Sequence, residues 1–235
     1  MADEPSTPLL QLVEKMSEQN PEQCAERFYM NAAKQLEGLY ERFSLAGNVV
    51  HSAHYVAGKL EGLTKLYDEA SGELTQEANF MGGALSGEFK AYKNGILQVK
   101  GLYAAGKTQG PMELYYEDGS LLLKQYFEAG KLHGPYEYYH QEGTVLGKRC
   151  LYVKGKEEGE CFEYYPSGKL LKKTHYQTGK LHGEYLMYTP DGKLHEKKFY
   201  KAGKEVPESE WDEELKRLAA ELKAKVSAAG GAKPA

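Results

Sequence analysis

Residues 130–139 read Gly-Lys-Leu-His-Gly-Pro-Tyr-Glu-Tyr-Tyr, and residues 179–185 repeat the start of this phrase as Gly-Lys-Leu-His-Gly-Glu-Tyr. Related phrases recur along most of the chain, each with aromatic residues after its first glycine. These first glycines are Gly38, Gly62, Gly87, Gly110, Gly134, Gly159 and Gly183, so the period is 23 to 25 residues. A fixed period of this size predicts stacked repeats rather than a single globular core.

Each copy has the pattern of a β-hairpin. Runs rich in Tyr, Leu and Val have the length of strands and are bounded by glycine-containing turns. The clearest turns are Asp118-Gly119, Glu142-Gly143, Ser167-Gly168 and Asp191-Gly192. We interpret these pairs as two-residue hairpin loops, because such loops require residues that tolerate positive φ.

Helical patterns flank the repeats on both sides. Thr7-Pro8 resembles a helix start, and Asn20-Pro21-Glu22-Gln23 resembles another, with a capping-box glutamine. The apolar stripe of this second helix is Ala25, Phe28, Ala32 and Leu36. A third helix is predicted to begin at Ser209, and its apolar stripe is Trp211, Leu215, Leu218, Leu222 and Val226.

The predicted fold class is mainly β: an elongated antiparallel β-hairpin array of about seven copies, with a helical N-terminal segment and one C-terminal helix. The predicted segments are a helical segment 1–37, hairpin repeats 38–206, a C-terminal helix 207–227 and a disordered tail 228–235. We expect the helices to cap the open edges of the array, which otherwise invite edge-to-edge pairing. The alternative is that they serve dimerisation or docking.

Composition and charge narrow the function classes. The net charge is −4, and the array carries 22 basic and 21 acidic residues. Nucleic acid is therefore an unlikely partner, because a phosphate backbone is held by many basic contacts. Cys24, Cys150 and Cys161 show neither metal-ligand spacing nor an even disulfide set, which favours reduced thiols in a cytoplasm. We expect a cytoplasmic protein and leave open export by a non-classical route.

Alternation along copy four sorts its side chains into two faces of the sheet. A two-residue loop at Asp118-Gly119 places Glu113 opposite Lys124 and Tyr115 opposite Leu122. One face then carries Met112, Leu114, Tyr116, Leu121, Leu123 and Phe127, which makes it the better core face. The other face carries Glu113, Tyr115, Leu122, Lys124 and Tyr126.

The second face repeats two columns of residues that suit partner binding. Its lysine column comprises Lys100, Lys124, Lys148, Lys173 and Lys197, and its tyrosine column comprises Tyr115, Tyr139, Tyr164 and Tyr188. Tyrosine favours interfaces because it buries a large area, freezes few torsions and still offers a hydroxyl group. A lattice of this kind fits an acidic or phosphate-bearing partner.

A purely structural interpretation of the same columns is also open. Tyrosines stabilise sheets by cross-strand stacking, and opposite charges on neighbouring strands attract. In the predicted register Lys124 and Lys148 oppose Glu113 and Glu137. Lys173 and Lys197 instead oppose Phe162 and Leu186, so we expect their charges to be free for a partner.

No residue set in the sequence has the pattern of a reaction centre. The seven histidines are scattered, and His133 and His182 belong to repeated turn phrases. Cys150 and Cys161 lack the adjacent base and electropositive setting that a nucleophile needs. No glycine-rich loop precedes a helix in the manner of a phosphate-binding loop. We therefore predict no catalytic residues, no metal site, no cofactor and no enzymatic activity.

The phrase at residues 130–139, Tyr-x-x-Gly-Lys-x-x-Gly-x-Tyr-x-x-Tyr-Tyr in its longer form, resembles the variant MORN repeat of bacterial YwqK-type proteins. The resemblance covers residues 38–206, although the turns at Gly47 and Gly72 depart from the pattern. It implies a MORN-like hairpin array that binds other molecules, without catalytic residues. Members of that family are commonly labelled antitoxins, and MORN repeats elsewhere are associated with membrane-lipid or protein scaffolding.

The preferred hypothesis is a non-enzymatic platform that binds another protein, in its most concrete form a toxin or effector-like protein that it neutralises or chaperones. The alternative is a scaffold that binds anionic membrane lipid through the lysine column. The protein-binding hypothesis uses both columns and the lipid hypothesis uses the lysine column, and substitution of these residues distinguishes either from a purely structural role.

Overall fold

The computed structural model of the protein describes residues 10–141 and 143–230, and in the C-terminal helix it describes side chains as far as Glu221. The described residues form eighteen β-strands and one α-helix, and the strands pair antiparallel. The prediction of a mainly β hairpin array followed by one C-terminal helix is confirmed. Contacts divide the chain into a first unit, Met1–Leu132 with Gln141–Gly143, and a second unit, His133–His140 with Thr144–Ala235.

The first unit contains eleven strands, which pair antiparallel with their neighbours along the chain. They are β1 Gln11–Met16, β2 Cys24–Met30, β3 Leu36–Phe43, β4 Val49–Val56, β5 Lys59–Leu60, β6 Gly62–Tyr67, β7 Leu74–Met81, β8 Ala84–Lys93, β9 Ile96–Ala104, β10 Lys107–Tyr115 and β11 Leu121–Glu128. Strand β4 pairs with both β5 and β6.

The second unit contains the remaining strands and the helix. They are β12 Lys131–Tyr139 (from His133 onward), β13 Leu146–Val153, β14 Lys156–Tyr164, β15 Leu170–Gln177, β16 Lys180–Tyr188, β17 Leu194–Lys201, β18 Lys204–Val206 and α1 Glu208–Gly230. These strands also pair with their neighbours along the chain.

The tightest hairpin turns lie between successive copies of the repeat. At Ala129-Gly130 both residues have positive φ, 49° and 83°, which is the geometry of a two-residue type I′ turn. The same pair of positive angles occurs between copies at Ala57-Gly58, Gly82-Gly83, Ala105-Gly106, Lys154-Gly155, Thr178-Gly179 and Ala202-Gly203, and within the third copy at Asn94-Gly95. Between copies, each of these turns except Gly82-Gly83 is followed by a lysine, so the Gly-Lys phrases of the sequence mark the turns.

The loop at Asp118-Gly119, within the fourth copy, is one residue longer than predicted. The Tyr116 N–H donates to the Ser120 carbonyl at 2.8 Å, and the Gly119 N–H donates to the Tyr116 carbonyl at 2.9 Å. This pattern is a three-residue loop in which only Gly119 has positive φ, 86°. The Asp118 carboxylate accepts the Ser120 N–H at 2.8 Å, which holds the turn. The prediction of two-residue loops was wrong here.

The same hydrogen-bond pattern corrects two more of the predicted loops. It recurs at Ser167-Gly168 and at Asp191-Gly192, where the glycine N–H donates to the carbonyl three residues earlier. Residue 142 of the predicted Glu142-Gly143 loop lies outside the described residues.

Each copy is held to the next by the residues around its first glycine. Gly110 has a φ of 79° and lies in a bulge of β10, between Thr108 and Met112. The Thr108 carbonyl accepts the Gly130 N–H at 2.9 Å, and Gln109 Oε1 accepts the Ala129 N–H at 3.0 Å. The bulge glycine thus turns its two preceding residues toward the next type I′ turn.

Equivalent side-chain bonds recur in both units. Glu37 accepts the Ala57 N–H at 2.8 Å, and Glu61 accepts the Gly82 N–H at 2.8 Å. In the second unit Glu158 accepts the Thr178 N–H at 2.7 Å. We call this contact the turn clamp, because it satisfies the outermost N–H group of a turn from the preceding copy.

Strand alternation gives each unit two faces, and the predicted core face is the more buried one. The core face carries the pairs Phe28–Tyr40 and Tyr40–Ala53 in the first unit and Tyr136–Cys150 in the second. Small residues on this face are almost fully buried: Ala53, Ala78, Cys150, Cys161 and Thr174. Aromatic rings pack edge-on around them, as Tyr40 does against Tyr55 at 5.9 Å.

The opposite side, which we call the charged face, carries Glu113 and Lys124. Their predicted pairing is confirmed, as are the pairings of Met112 with Gln125 and of Leu114 with Leu123. The register shifts beyond Leu114, so Tyr115 pairs with Leu121 rather than with Leu122. The three-residue loop causes this shift, because it adds one residue to the turn.

The predicted helical N-terminal segment is wrong within the described residues. Gln11–Met16 and Cys24–Met30 are strands, and Leu36 begins a third. The apolar spacing that suggested a helix has another cause: Phe28 is buried and stacks on Tyr40, with ring centroids 6.1 Å apart.

Cross-strand bonds outweigh the local helix signals in this segment. Lys15 pairs with Glu26 at 2.8 Å across β1 and β2, and β2 supplies hydrogen bonds to the edge of β3. Asn20-Pro21-Glu22-Gln23 forms a turn, in which the Gln23 N–H donates to the Asn20 carbonyl at 3.0 Å. Thr7 and Pro8 lie outside the described residues.

The C-terminal helix is longer than predicted. It runs from Glu208 to Gly230, so residues 228–230 are helical and not part of a disordered tail. The remaining residues of the predicted tail, 231–235, lie outside the described part. Alanine at 228 and 229 has the highest helix propensity, which favours the extension.

Two of the three cysteines are joined. Cys150 of β13 and Cys161 of β14 form a disulfide, with their Cα atoms 4.4 Å apart, and Cys24 is free. The prediction of three reduced thiols is therefore corrected. Sequence spacing did not show the pair, because the two cysteines become neighbours only through the β13–β14 hairpin.

Candidate functional site

The charged face of the first unit is a row of alternating charges. Neighbouring strands place Arg27 opposite Glu41, Lys65 opposite Glu77 and Lys124 opposite Glu113. Ion pairs follow this register, since Lys124 Nζ lies 3.9 Å from Glu113. Lys100 Nζ lies 3.7 Å from Glu88. In this unit, cross-strand ion pairing accounts for the two predicted lysines.

Two of the predicted tyrosines are tied to carboxylates on the same strand. Tyr115 Oη donates to Glu113 at 2.8 Å, and Tyr139 Oη donates to Glu137 at 3.0 Å. Burial and then the bond to Glu113 raise the pKa of Tyr115 to about 12. Burial and the bond to Glu137 also raise the pKa of Tyr139. These hydroxyl groups already donate within the sheet.

The other two predicted tyrosines take part in inter-copy bonds through their backbone. The Tyr164 carbonyl is bonded to His140 Nε2 at 2.9 Å, and the Tyr188 carbonyl accepts the Tyr165 hydroxyl at 2.8 Å. Tyr164 pairs with Leu170 and Tyr188 with Leu194 at the ends of their strands. They lie at corresponding places in successive hairpins, as the repeat predicts.

Lys148 does not belong to the charged face. It pairs with Tyr138, while Arg149 takes the place opposite Glu137. Lys148 Nζ instead bonds Glu157 at 3.1 Å, near the Cys150–Cys161 disulfide.

The length of one loop explains this difference. Six residues separate Tyr139 from Leu146, whereas five separate Tyr115 from Leu121. One additional residue moves every following side chain to the other face of the sheet. Arg149 therefore occupies the lysine column, and its guanidinium lies over the Phe162 ring at 5.5 Å.

Lys173 and Lys197 lie on the charged face in the predicted register. They pair across the strands with Phe162 and Leu186, as expected. Each lysine is nevertheless bound by acids: Lys173 Nζ lies 2.6 Å from Glu160. Lys197 Nζ lies 2.9 Å from Glu208 and 3.6 Å from Glu184. The expectation of free charge was wrong, because diagonal carboxylates reach lysines that no acid opposes directly.

These carboxylates also shift the lysine pKa values. The hydrogen bond that Lys173 donates to Glu160 raises the pKa of Lys173, against a smaller lowering by burial. The hydrogen bond that Lys197 donates to Glu208 of helix α1 raises the pKa of Lys197. Both ammonium groups are therefore stabilised in the charged form by contacts within the second unit.

Helix α1 packs on the charged face through its first turns. Trp211 is buried and stacks on Phe199, with ring centroids 6.5 Å apart, and it meets His182 edge-on at 5.3 Å. Glu214 is also buried and bonds Lys201 at 3.1 Å. The next residues of the apolar stripe are more open, since Leu215 is 48% exposed and Leu218 is 40% exposed.

A groove of about 670 Å³ lies between α1 and strands β14 to β17 of the second unit. Its floor includes Lys173, His175 and Lys197, and its wall includes Trp211, Leu215 and Leu218. Carboxylates surround it at Glu158, Glu160, Glu184, Glu208 and Asp212. This volume is in the range of ligand-binding clefts, and the lining combines apolar side chains with charged groups.

Sequence reasoning missed the groove but found two of its parts. Lys173 and Lys197 came from the periodic lysine column, and Trp211 came from the helical stripe. Their meeting depends on where α1 packs, which no periodicity specifies. The signal that could have indicated it is Phe199, an aromatic residue among charged ones on β17, which offers the tryptophan a surface.

Among the described residues, one group has the geometry to hold a metal ion. Ligand atoms of Cys150, Glu157 and Cys161 lie within 4.8 Å of one another. The two sulfur atoms are joined in the disulfide, and Glu157 accepts hydrogen bonds from Lys148 and Tyr152. Cysteine binds a metal ion as a thiolate, and these two sulfur atoms are bonded to each other instead. In this form the group is therefore a covalent and hydrogen-bonded link between β13 and β14.

No helix in the described part of the chain is long and apolar enough to span a membrane.

Comparison with known families finds the repeat. The family model described as MORN repeat variant matches residues 108–129, 157–178 and 181–202. Each matched segment runs from the bulge of one copy to the type I′ turn of the next, and so includes a turn clamp position. A search of curated proteins finds no match to the chain.

Proposed function

We propose that the protein is a non-enzymatic repeat platform that binds another protein. The observation that supports this proposal most directly is the groove beside α1, where Leu215 and Leu218 are exposed next to a ring of charged side chains. An apolar patch with a charged rim is typical of protein interaction sites. The MORN-type repeats agree with a binding scaffold.

The more specific form of the proposal is that the bound protein is a toxin or effector-like partner, which is neutralised or chaperoned. It is supported only by the resemblance of the repeats to those of YwqK-type proteins. The predicted tyrosine and lysine columns remain candidate contacts, with Arg149 in place of Lys148. The alternative of anionic lipid binding has weaker support, because Lys100, Lys124, Lys173 and Lys197 each lie within 4.0 Å of a carboxylate.

An affinity capture with paired variants tests the platform. Tagged protein, a Leu215→Glu/Leu218→Glu variant and a control Leu45→Glu variant are incubated with native lysate. Leu45 is 62% exposed in a loop of the first unit, so its substitution places one negative charge in that unit, against two in the groove variant. We expect a protein retained by the parent and the control to be lost from the groove variant. Retention by all three would contradict the proposed site.

The lipid alternative is separated by a vesicle assay. Phosphatidylcholine vesicles with and without phosphatidylserine are sedimented with the protein and with a Lys173→Glu/Lys197→Glu variant. Lysines near an anionic surface contribute about 1 kcal/mol each, so lipid binding through them would be salt-sensitive and reduced in the variant. We expect no sedimentation with either vesicle.

A further inference from the structure

We propose that the groove beside α1 takes a basic amphipathic segment of the partner, with apolar side chains against the helix and cationic side chains against the groove carboxylates. This inference rests on the proposed protein-binding function and adds the chemistry of the bound segment. It replaces the expectation of an acidic partner, which came from the lysine column alone.

The charge of the lining favours a cation. The groove is lined by two lysines and by five carboxylates, which are Glu158, Glu160, Glu184, Glu208 and Asp212. Lys173 is bound by Glu160, and Lys197 is bound by Glu208 and Glu184. Five carboxylates against two lysines leave negative charge in excess, so an acidic segment would be repelled and a basic one attracted.

The apolar wall favours an amphipathic segment over a merely basic one. Leu215 and Leu218 stand one helical turn apart on α1, and both line the groove. They continue the stripe that begins at the buried Trp211. Side chains three or four residues apart on a partner helix match such a row, which is the usual manner in which a helix binds a groove.

The chain supplies its own reporter for this site. Trp211 is the single tryptophan, and its ring lines the groove. A bound segment that contacts Leu215 changes the environment of this indole, so its fluorescence emission reports occupation of the groove. Binding elsewhere on the repeats leaves the emission of Trp211 unchanged.

The test uses synthetic peptides of about five helical turns. The first has leucines on one face and lysines on the other. The second has glutamates in place of the lysines, and the third has glutamines in place of the leucines. We expect the leucine–lysine peptide to shift Trp211 emission with saturation and to bind at least about tenfold more tightly than either twin. This preference should weaken in about 0.5 M salt.

Variants of the protein map the contact. Glu184→Gln/Asp212→Asn removes two groove carboxylates, and Glu69→Gln/Glu117→Gln removes two exposed carboxylates of the first unit as the matched control. We expect the groove variant to lose severalfold affinity for the leucine–lysine peptide and the control to lose none. If the double variant unfolds by circular dichroism, Asp212→Asn alone provides the measurement, because Asp212 is exposed on α1.

Four outcomes overturn the inference. They are equal binding of the leucine–glutamate peptide, equal losses in the groove and control variants, saturable binding with no change in Trp211 emission, and a concentration-dependent dimer that occupies the groove with a second copy of the chain. Failure of the peptides alongside a captured protein that is lost from Leu215→Glu/Leu218→Glu would refute only the basic chemistry. If the Leu215→Glu/Leu218→Glu variant retained the captured protein as well as the parent does, the proposed function itself would be refuted.

Discussion

At the scale of single residues, the composition of the charged face depends on the residue opposite on the neighbouring strand and on the length of the preceding loop. Lys124 pairs with the acid that the repeat predicts, whereas one additional residue before Leu146 moves Lys148 to the core face. Tyr115 and Tyr152 each donate to a glutamate and thereby gain a partner inside the sheet. The side chains that a column presents, and their partners, therefore differ from one copy to the next.

Alkaline pH should reveal how much the tyrosine–glutamate pairs contribute to stability. Folding raises the pKa of Tyr115 and of Tyr152 from 10.0 to about 12, in both cases first through burial. A raised pKa contributes stability that is present below the unfolded value and lost as pH rises through the folded value. We expect the melting temperature to fall between about pH 10 and pH 12.

The comparison is a Tyr115→Phe/Tyr152→Phe variant, melted over the same pH series. It has no hydroxyl group to ionise at these positions, so its melting temperature should fall less steeply, although it starts lower because two hydrogen bonds are lost. Tyrosinate absorbance recorded in parallel gives the ionisation itself. Parallel pH curves for parent and variant would disprove the role of these two residues.

At the scale of elements, helix α1 is attached through its first turns, by the buried Trp211 and by ion pairs of Glu208 with Lys197 and of Glu214 with Lys201. Trp211 fills the space between Phe199 and His182, and the following turns of the described helix are mostly exposed. The strands β13 and β14 are joined differently, by a covalent bond through Cys150 and Cys161. The packing of Trp211 and the disulfide can each be removed by substitutions that leave the glycines and aromatic residues of the repeat unchanged.

Removal of the tryptophan should release the helix. Trp211→Ala deletes a side chain that is 8% exposed, and such deletions cost about 3 kcal/mol or more of unfolding free energy. Urea unfolding followed by circular dichroism measures the change. Leu215→Ala is the control, since an exposed helix position tolerates alanine within about 0.5 kcal/mol. An unchanged transition in Trp211→Ala would mean that α1 is not packed on the strands.

Reduction should lower the stability of the second unit. The cysteines are separated by 11 positions, and cross-linking a loop of this size stabilises by about 3 kcal/mol in the chain-entropy description. We expect dithiothreitol and a Cys150→Ser/Cys161→Ser variant to lower the urea midpoint by similar amounts. Cys24→Ser should leave it unchanged. Insensitivity of the parent to dithiothreitol would show that the cross-link adds nothing to stability.

At the scale of the whole molecule, periodicity predicted the repeat and local signals misled at its ends. The hairpins, the turn glycines and the pairing of Met112 with Gln125 all follow from the sequence, because they repeat in every copy. The strands of the N-terminal segment do not follow from the sequence. The spacing there is helical, at Ala25, Phe28, Ala32 and Leu36, but Phe28 lies on a strand and stacks on Tyr40 of the neighbouring strand. The groove depends on docking between an element inside the repeat and one outside it, which no local rule describes.

The elongated form of the array stays a prediction from the sequence. Seven hairpin copies without a helical crossover should give a radius of gyration well above the roughly 17–18 Å of a compact chain of this length. Small-angle X-ray scattering on a monomeric sample provides the value. A radius of gyration near the compact value would exclude an extended array.

In the turn clamp, the accepting group comes from the preceding copy and the N–H group comes from a turn that follows it in the sequence. Gln109 and Thr108 complete a turn that lies twenty residues further on, and Glu158 does the same for Thr178. During synthesis on the ribosome, the clamp residues of the preceding copy therefore emerge before the turn that they bind. Gene duplication is constrained in the same way, since a new copy fits only when it spans a complete interval from one bulge glycine to the next.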